Sequence, residues 1–168
     1  MKLLSLATLS LALAAPAGAT ELLFAGQVQQ LTLQPSGVGD CPPMCPADTG
    51  PDKNGVSHVC VSNAGGCQTA TVKVVTDYLA TSETPLLSFK SRTGEWGKLN
   101  FPVKEELILV HAVDGVATWA PLLMRDGKAY FKAADMREIN RVPVHALAKD
   151  GDGLVPLDQL VAAIHAAH

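Results

Sequence analysis

The segment from Asp40 to Cys67 constrains the fold most strongly, because it carries all four cysteines of the 168-residue chain. Its sequence, DCPPMCPADTGPDKNGVSHVCVSNAGGC, is rich in proline, glycine and short polar residues, which argues against regular secondary structure. A loop of this length is uncommon inside a compact domain unless it is cross-linked or functional. We therefore predict a loop over residues 35–67 that two disulfides stabilise. The four cysteines, Cys41, Cys45, Cys60 and Cys67, allow three pairings, and all three remain open.

The first 19 residues have the features of a secretory signal peptide. Lys2 precedes an apolar run from Leu3 to Ala15, and small residues follow up to Ala19. The apolar run is too short to span a bilayer, so we predict cleavage after Ala19 and no membrane span. Residues 20–168 then form one exported domain. Disulfides fit an oxidising compartment, so the expected location is periplasmic or secreted.

Composition narrows the class of partner. The chain is 48% hydrophobic and 17% charged, as expected for a globular protein. Its formal net charge is −3, and its basic residues are scattered singly along the chain. Because nucleic-acid binding requires clustered basic residues, no nucleic-acid partner is predicted.

Alternating and apolar runs predict a mainly β fold. Glu21–Gln34 predicts a long first strand whose apolar phase slips near Gln29, which indicates a bulge. Gly26 in this strand would permit a close backbone approach. The continuous apolar run Leu107–Val110 predicts a strand buried on both faces. Further predicted strands are Gln68–Leu79, a strand containing Leu87 and Phe89, and a hairpin that turns at Asp126-Gly127.

The end of the chain predicts one helix. Leu157, Leu160, Val161 and Ile164 recur at helical spacing, and Pro156 stands at the start of the run. We therefore predict a C-terminal helix over residues 156–167. A helical turn is predicted at Asp135–Asn140 and a short strand at Val142–Leu147.

The order of these elements resembles the netrin-like module, the OB-type barrel also found in tissue inhibitors of metalloproteinases. The matching stretches are FAGQV from Phe24, VKVVTDYL from Val72 and EELILV from Glu105. The resemblance implies a small closed five-stranded barrel with a helix at one end. Those inhibitors chelate the zinc of a protease through an N-terminal cysteine, whereas the first cysteine here is Cys41. The resemblance therefore implies the fold and not metalloproteinase inhibition.

The cysteine loop also permits a metal-binding hypothesis. Cys41, Met44, Cys45 and His58 would supply thiolate, thioether and imidazole donors, which suit Cu(I) or zinc. The CxxxC spacing differs from the CxxC of zinc ribbons. We favour disulfides over this alternative, because an oxidising compartment disfavours free thiols.

Catalytic motifs are absent from the sequence. It contains no GxSxG elbow, no phosphate-binding glycine loop and no HExxH motif. His111, on the apolar fourth strand, is interpreted as a hydrogen-bonded core residue. No catalytic residue and no cofactor is predicted, although an enzyme of unrecognised type remains an open alternative.

Gly94-Glu95-Trp96-Gly97 predicts a turn, and Trp96 within it is the aromatic residue that best fits a binding surface. Tryptophan is enriched among the residues that contribute most to protein–protein binding. The alternative is that Trp96 fills one end of the barrel. We predict an exported, non-catalytic module that binds a protein through Glu95 and Trp96, with an inhibitor of an envelope or foreign enzyme as one form. The oligomeric state is left open.

Overall fold

A computed structural model describes residues 21–43, 50–51, 53–56, 65–79, 84–93, 101–102, 106–148 and 151–167. Within these ranges the protein is mainly β, with one α-helix at the C-terminal end, as predicted. The strands are β1 Glu21–Pro35, β2 Gly66–Asp77, β3 Leu86–Arg92, β4 Leu107–Val113, β5 Val116–Pro121, β6 Leu123–Arg125, β7 Lys128–Lys132, β8 Glu138–Ile139, β9 Val142–Pro143 and β10 Leu154–Pro156. The helix is α1 Leu157–Ala166.

The largest sheet contains five antiparallel strands in the order β3-β2-β1-β4-β5. Beside it lie a three-stranded sheet, β10-β7-β6, and a small β8-β9 pair. The first strand is therefore central, pairing with β2 on one side and with β4 on the other.

The pairing of the long first strand is irregular where the sequence predicted a bulge. Its register with β2 shifts between Val28 and Gln30, which leaves Gln29 unmatched. A second shift lies beside Gly26. A Cβ atom on Gly26 would lie 2.7 Å from Val72 Cγ1, so the predicted close approach of the two strands is confirmed.

No sheet of the described residues is closed into a barrel. The edge strands β3 and β5 approach so that some Cα atoms come within 8 Å, yet no ladder between them is described. Aromatic side chains bridge the interval instead. Phe101 stacks on Phe89 of β3 at 6.1 Å between ring centroids and on Trp119 of β5 at 6.2 Å.

The five-stranded sheet separates two hydrophobic clusters. Strand β4 contributes side chains to both clusters, so its predicted burial on both faces is confirmed. Ile108 and Val110 lie on the concave face of the curved sheet, which we call the curl, and Leu109 lies on the opposite face. The cluster inside the curl contains Phe24, Val28, Ala70, Val72, Phe89, Phe101, Ile108, Val110 and Ala112. The other cluster joins the sheet to β7, β10 and α1 through Leu23, Leu109, Ala120, Phe131, Val155, Leu157, Leu160 and Ile164, among others.

The region from Asp135 to Leu147 differs from the prediction. Glu138–Ile139 pairs with Val142–Pro143, so the predicted helical turn up to Asn140 is wrong. Asn140 and Arg141 form the connecting turn with positive φ values of 46° and 63°, which a right-handed helix does not allow. The predicted strand extends only to Pro143 and is followed by a 3₁₀ turn at Val144–Leu147.

Candidate functional site

The predicted disulfide chemistry is present at Cys41. Its sulfur is bonded to that of Cys67, with 5.6 Å between the Cα atoms, and both residues are almost fully buried. Only one of the three pairings that the sequence left open contains this bond. Cys45 and Cys60 lie outside the described residues.

Polar contacts also hold the start of the cysteine loop against the sheet. Lys90 on β3 donates to the carbonyl oxygen of Asp40 at 3.0 Å and forms an ion pair with its carboxylate. The hydrogen bond and the charge of Lys90 lower the pKa of the Asp40 carboxyl below its usual value. Arg92 of the same strand reaches the carbonyl oxygen of Pro43 at 3.5 Å.

The end of the loop is hydrogen-bonded to the segment that precedes Trp96. The Gly66 N–H donates to Thr93 Oγ1 at 2.8 Å, and the Thr93 N–H donates to the Gly66 carbonyl oxygen at 2.9 Å. Thr93 is buried. β2 begins at Gly66, β3 ends at Arg92, and the two strands pair antiparallel, so the end of the loop and the segment before Trp96 meet at the same end of this pair. Glu95 and Trp96 themselves lie outside the described residues.

The metal-binding alternative loses one of its donors in this oxidised form. The Cys41 sulfur is bonded to Cys67 and is not available as a thiolate. Met44, Cys45 and His58 lie outside the described residues. In the part of the chain that the structure describes, no three His, Cys, Asp or Glu side chains are grouped so that they could hold a metal ion.

His111 has the structural environment expected of a core histidine. Its Nε2 lies 2.7 Å from Glu21 Oε1, and its side chain is only 12% exposed. The same Glu21 oxygen accepts the Asn140 backbone N–H at 2.9 Å. Glu21 therefore links β1, β4 and the β8–β9 turn.

A groove between α1 and the β6–β7 hairpin is a candidate site that no sequence motif indicated. It consists of a polar recess of about 700 Å³ and an apolar recess of about 530 Å³. The two recesses adjoin, because Lys128, Asp158 and Ala162 line both. We call the pair the α1 groove.

The polar recess carries side chains of both charge signs. Arg125 and Lys128 come from the hairpin, whereas Asp152 precedes β10 and Asp158 lies in the first turn of α1. Arg125 Nη1 lies 3.5 Å from Asp152 Oδ2, and both side chains are more than half exposed. Tyr130 forms part of its lining, next to Pro156 on the paired strand.

Gln159 of α1 also contributes to the lining of this recess. Its Oε1 is shielded from solvent, and no hydrogen-bond donor lies within reach of it among the described residues. A buried acceptor without a donor is unfavourable by roughly 1–3 kcal/mol.

The apolar recess lies between α1 and the turn of the hairpin. Ala129, Leu157 and Val161 form much of its wall, with Tyr78 and His165 beside them. Burial raises the pKa of the Tyr78 phenol above its usual value, although a hydrogen bond with Thr76 opposes the shift.

The α1 groove could not be found from local patterns, because its residues come from separate parts of the chain. Tyr78 follows β2, Arg125 to Tyr130 form the hairpin, and Asp152 to His165 lie at the C-terminal end. The pairing of β10 with β7 brings the last two segments together. The apolar spacing of the helix was visible in the sequence, but the segments that pack beside it were not.

In the part of the chain that the structure describes, no helix is both long and apolar enough to cross a bilayer. Comparisons of the chain with protein-family models, with curated proteins and with solved structures find no match.

Proposed function

We propose that the protein is an exported, non-catalytic module that binds a protein partner through its cysteine loop and the Glu95-Trp96 turn. One observation carries this proposal. The reciprocal hydrogen bonds between Gly66 and Thr93 bring the roots of both segments to one end of β2 and β3. Two segments that start at the same end of a strand pair can contribute to one continuous contact surface.

Cross-linking at this end supports a binding role. The Cys41–Cys67 bond and the Lys90–Asp40 ion pair fix one root of the loop to the sheet. A surface ordered before binding loses less conformational entropy when a partner docks. The disulfide also fits an oxidising compartment, so we propose a periplasmic or secreted location. An envelope or foreign enzyme that the module inhibits is the partner we favour.

We also retain the netrin-like, OB-type barrel as a proposal for the complete fold. The central position of β1 and the approach of β3 to β5 support it, because OB barrels are small five-stranded barrels that are only partly open. Between β3 and β5, the described residues contribute the stacked rings of Phe89, Phe101 and Trp119 and no backbone hydrogen-bond ladder.

Isolation of the protein with its partner from the native compartment tests the binding proposal. Trp96→Ala should weaken the complex by at least about 2 kcal/mol, the range of a binding hot spot. Leu86→Ala is the matched control, since Leu86 is an exposed apolar residue at the other end of β3. Unchanged binding by Trp96→Ala, or equal losses in both variants, would contradict the proposed surface.

A further inference from the structure

We infer that Asn54 is a site of spontaneous covalent modification, where the side-chain amide cyclises onto the backbone and is converted to aspartate and isoaspartate. Asn54 lies in the cysteine loop and is followed directly by Gly55. The chemistry of this dipeptide and the backbone around it carry the inference. Neither the Trp96 surface nor the α1 groove contributes to it.

The reaction needs only the two residues and water. The backbone nitrogen of Gly55 attacks Cγ of Asn54, and the new C–N bond closes a five-membered succinimide ring. The Asn54 Nδ2 leaves as ammonia, with the proton that the Gly55 nitrogen loses. Water then opens the ring. Its addition at Cγ gives aspartate, and its addition at the backbone carbonyl carbon gives isoaspartate.

The structure leaves this dipeptide open to cyclisation. Asn54 and Gly55 are both exposed, and they lie in a turn outside every helix and strand of the described residues. Gly55 has no Cβ that would hinder the approach of the Asn54 side chain to its nitrogen. Its φ is 77°, and no described atom lies within 4 Å of the position that a Cβ would take. The ring can therefore form without displacing a neighbouring element.

The two comparable dipeptides in hairpins are constrained. Asp114-Gly115 and Asp126-Gly127 both connect antiparallel strands that are paired up to the turn. Positive φ values at both positions fit these tight turns. The backbone rotation that brings the glycine nitrogen onto the side chain would separate the paired strands. An ionised carboxylate is also a weaker electrophile than an amide, so these turns should stay intact.

Asn140 and Asp152 are held by hydrogen bonds. Asn140 precedes an arginine, and its backbone N–H donates to Glu21 Oε1 at 2.9 Å. Asp152 precedes a glycine, but its Oδ1 accepts the Leu154 N–H at 3.0 Å. Among these described dipeptides, Asn54 alone combines an amide, a following glycine and a position outside the strand ladders.

The products change the charge and the length of the cysteine loop. Hydrolysis replaces a neutral amide by a carboxylate, so each event lowers the net charge of the protein by one unit. Isoaspartate also adds one methylene group to the backbone path. Both changes fall between Cys41 and Cys67, inside the loop that their disulfide closes. The protein therefore accumulates charge forms that differ within this loop.

Peptide mapping by mass spectrometry tests the inference on the intact, oxidised protein after incubation at 37 °C. Acetyl-Pro-Asp-Lys-Asn-Gly-Val-amide, the loop sequence around Asn54, is incubated in parallel as the time reference. The fragment containing Asn54 should gain the mass difference between an amide and an acid, and it should separate into aspartate and isoaspartate forms. Conversion should be severalfold faster at pH 8 than at pH 7, because the attacking nitrogen must lose its proton. Asn140 should remain unchanged.

Two glycine variants provide a matched comparison. Gly55→Ala should slow the conversion of Asn54 severalfold, because its Cβ hinders the attack. Gly50→Ala is the control, since Gly50 lies in the same loop with a φ of 76° and the same open space. It should convert at the wild-type rate. Asn54→Gln should show no conversion at this position, since the corresponding ring has six members and closes less readily.

Three results would overturn the inference. They are an intact Asn54 when the reference peptide has fully converted, equal rates in the wild type and Gly55→Ala, or aspartate formed without isoaspartate, which indicates direct hydrolysis. None of these results concerns binding through Trp96, so failure here leaves the proposed function to its own test.

Discussion

At the scale of single residues, Gly26 is required by space and not by backbone conformation. A Cβ atom at this position would lie 2.7 Å from Val72 Cγ1 and 3.0 Å from the Lys73 carbonyl oxygen. The backbone oxygen cannot move without shifting β2. The sequence indicated this close approach because a glycine interrupted an otherwise strand-like run.

We expect Gly26→Ala to lower the free energy of unfolding by about 1–3 kcal/mol, as overpacking of a core does. Urea unfolding followed by circular dichroism measures the change. Gln29→Ala, at an exposed position on the same strand, should stay within about 0.5 kcal/mol of the wild type. Equal stability of Gly26→Ala and the wild type would show that the strands are not in close contact there.

Glu21 joins three elements through one oxygen atom. Replacement by alanine removes the acceptor of the Asn140 N–H and the partner of His111. We expect Glu21→Ala to lose about 1–3 kcal/mol of stability. Glu21→Gln should lose less, because its amide oxygen still accepts the Asn140 N–H. Identical unfolding curves for the two variants would contradict this role of the oxygen.

Tyr78 makes stability depend on pH in the alkaline range. Its usual pKa is near 10, and burial raises the pKa in the folded protein. Below about pH 10 the phenol is neutral in both states, so stability does not change through this group. As the pH rises from 10 towards the raised pKa, the unfolded chain loses its proton first and stability falls.

Tyr78→Phe should therefore remove part of the alkaline loss of stability. Thermal unfolding of both proteins between pH 8 and pH 11 measures it. The two midpoints should run parallel up to about pH 10 and converge or cross above it. Parallel curves over the whole range would mean that Tyr78 ionises equally easily in both states.

At the scale of elements, sequence patterns predicted the strands that are long enough to show alternation and the turns that contain Asp-Gly. The Asp114-Gly115 and Asp126-Gly127 turns have positive φ at both positions, the conformation that two-residue hairpins need and that this dipeptide favours. The Asn140-Arg141 turn has the same conformation without glycine, and its two-residue strands are too short to show an alternation. That is why the β8–β9 pair was mistaken for a helical turn.

The cysteine loop is the element whose stability depends most on a covalent bond. Cys41 and Cys67 are 26 positions apart, and a bridge closing a loop of that length contributes on the order of 3–4 kcal/mol. The double variant Cys41→Ser/Cys67→Ser should lose about this much in denaturant unfolding. A loss below about 0.5 kcal/mol would show that the loop is held by its polar contacts alone.

Intact mass measures the pairing of all four cysteines. Two bridges would place the mass four hydrogens below that of the reduced chain and leave no thiol for alkylation. With Cys41 bonded to Cys67, the second bridge could only join Cys45 to Cys60. Two alkylated thiols would instead return Cys45, Met44 and His58 to consideration as donors for copper or zinc.

At the scale of the whole molecule, the features that the sequence left undetermined depend on contacts between distant segments. The approach of the two sheet edges depends on how β3 lies relative to β5, and the α1 groove depends on the pairing of β10 with β7. Alternation within a strand carries no information about either contact. The hydrogen bond between Gly66 and Thr93, which joins the end of the cysteine loop to the segment before Trp96, is a non-local feature of the same kind.

Photo-crosslinking in the native compartment tests the proposed partner surface most directly. A benzophenone amino acid would be introduced at position 95 in one protein and at position 86, at the other end of β3, in a second. We expect position 95 to yield one discrete adduct with a protein and position 86 to yield none. Adducts from neither position, or the same adducts from both, would contradict a partner surface at this end of the molecule.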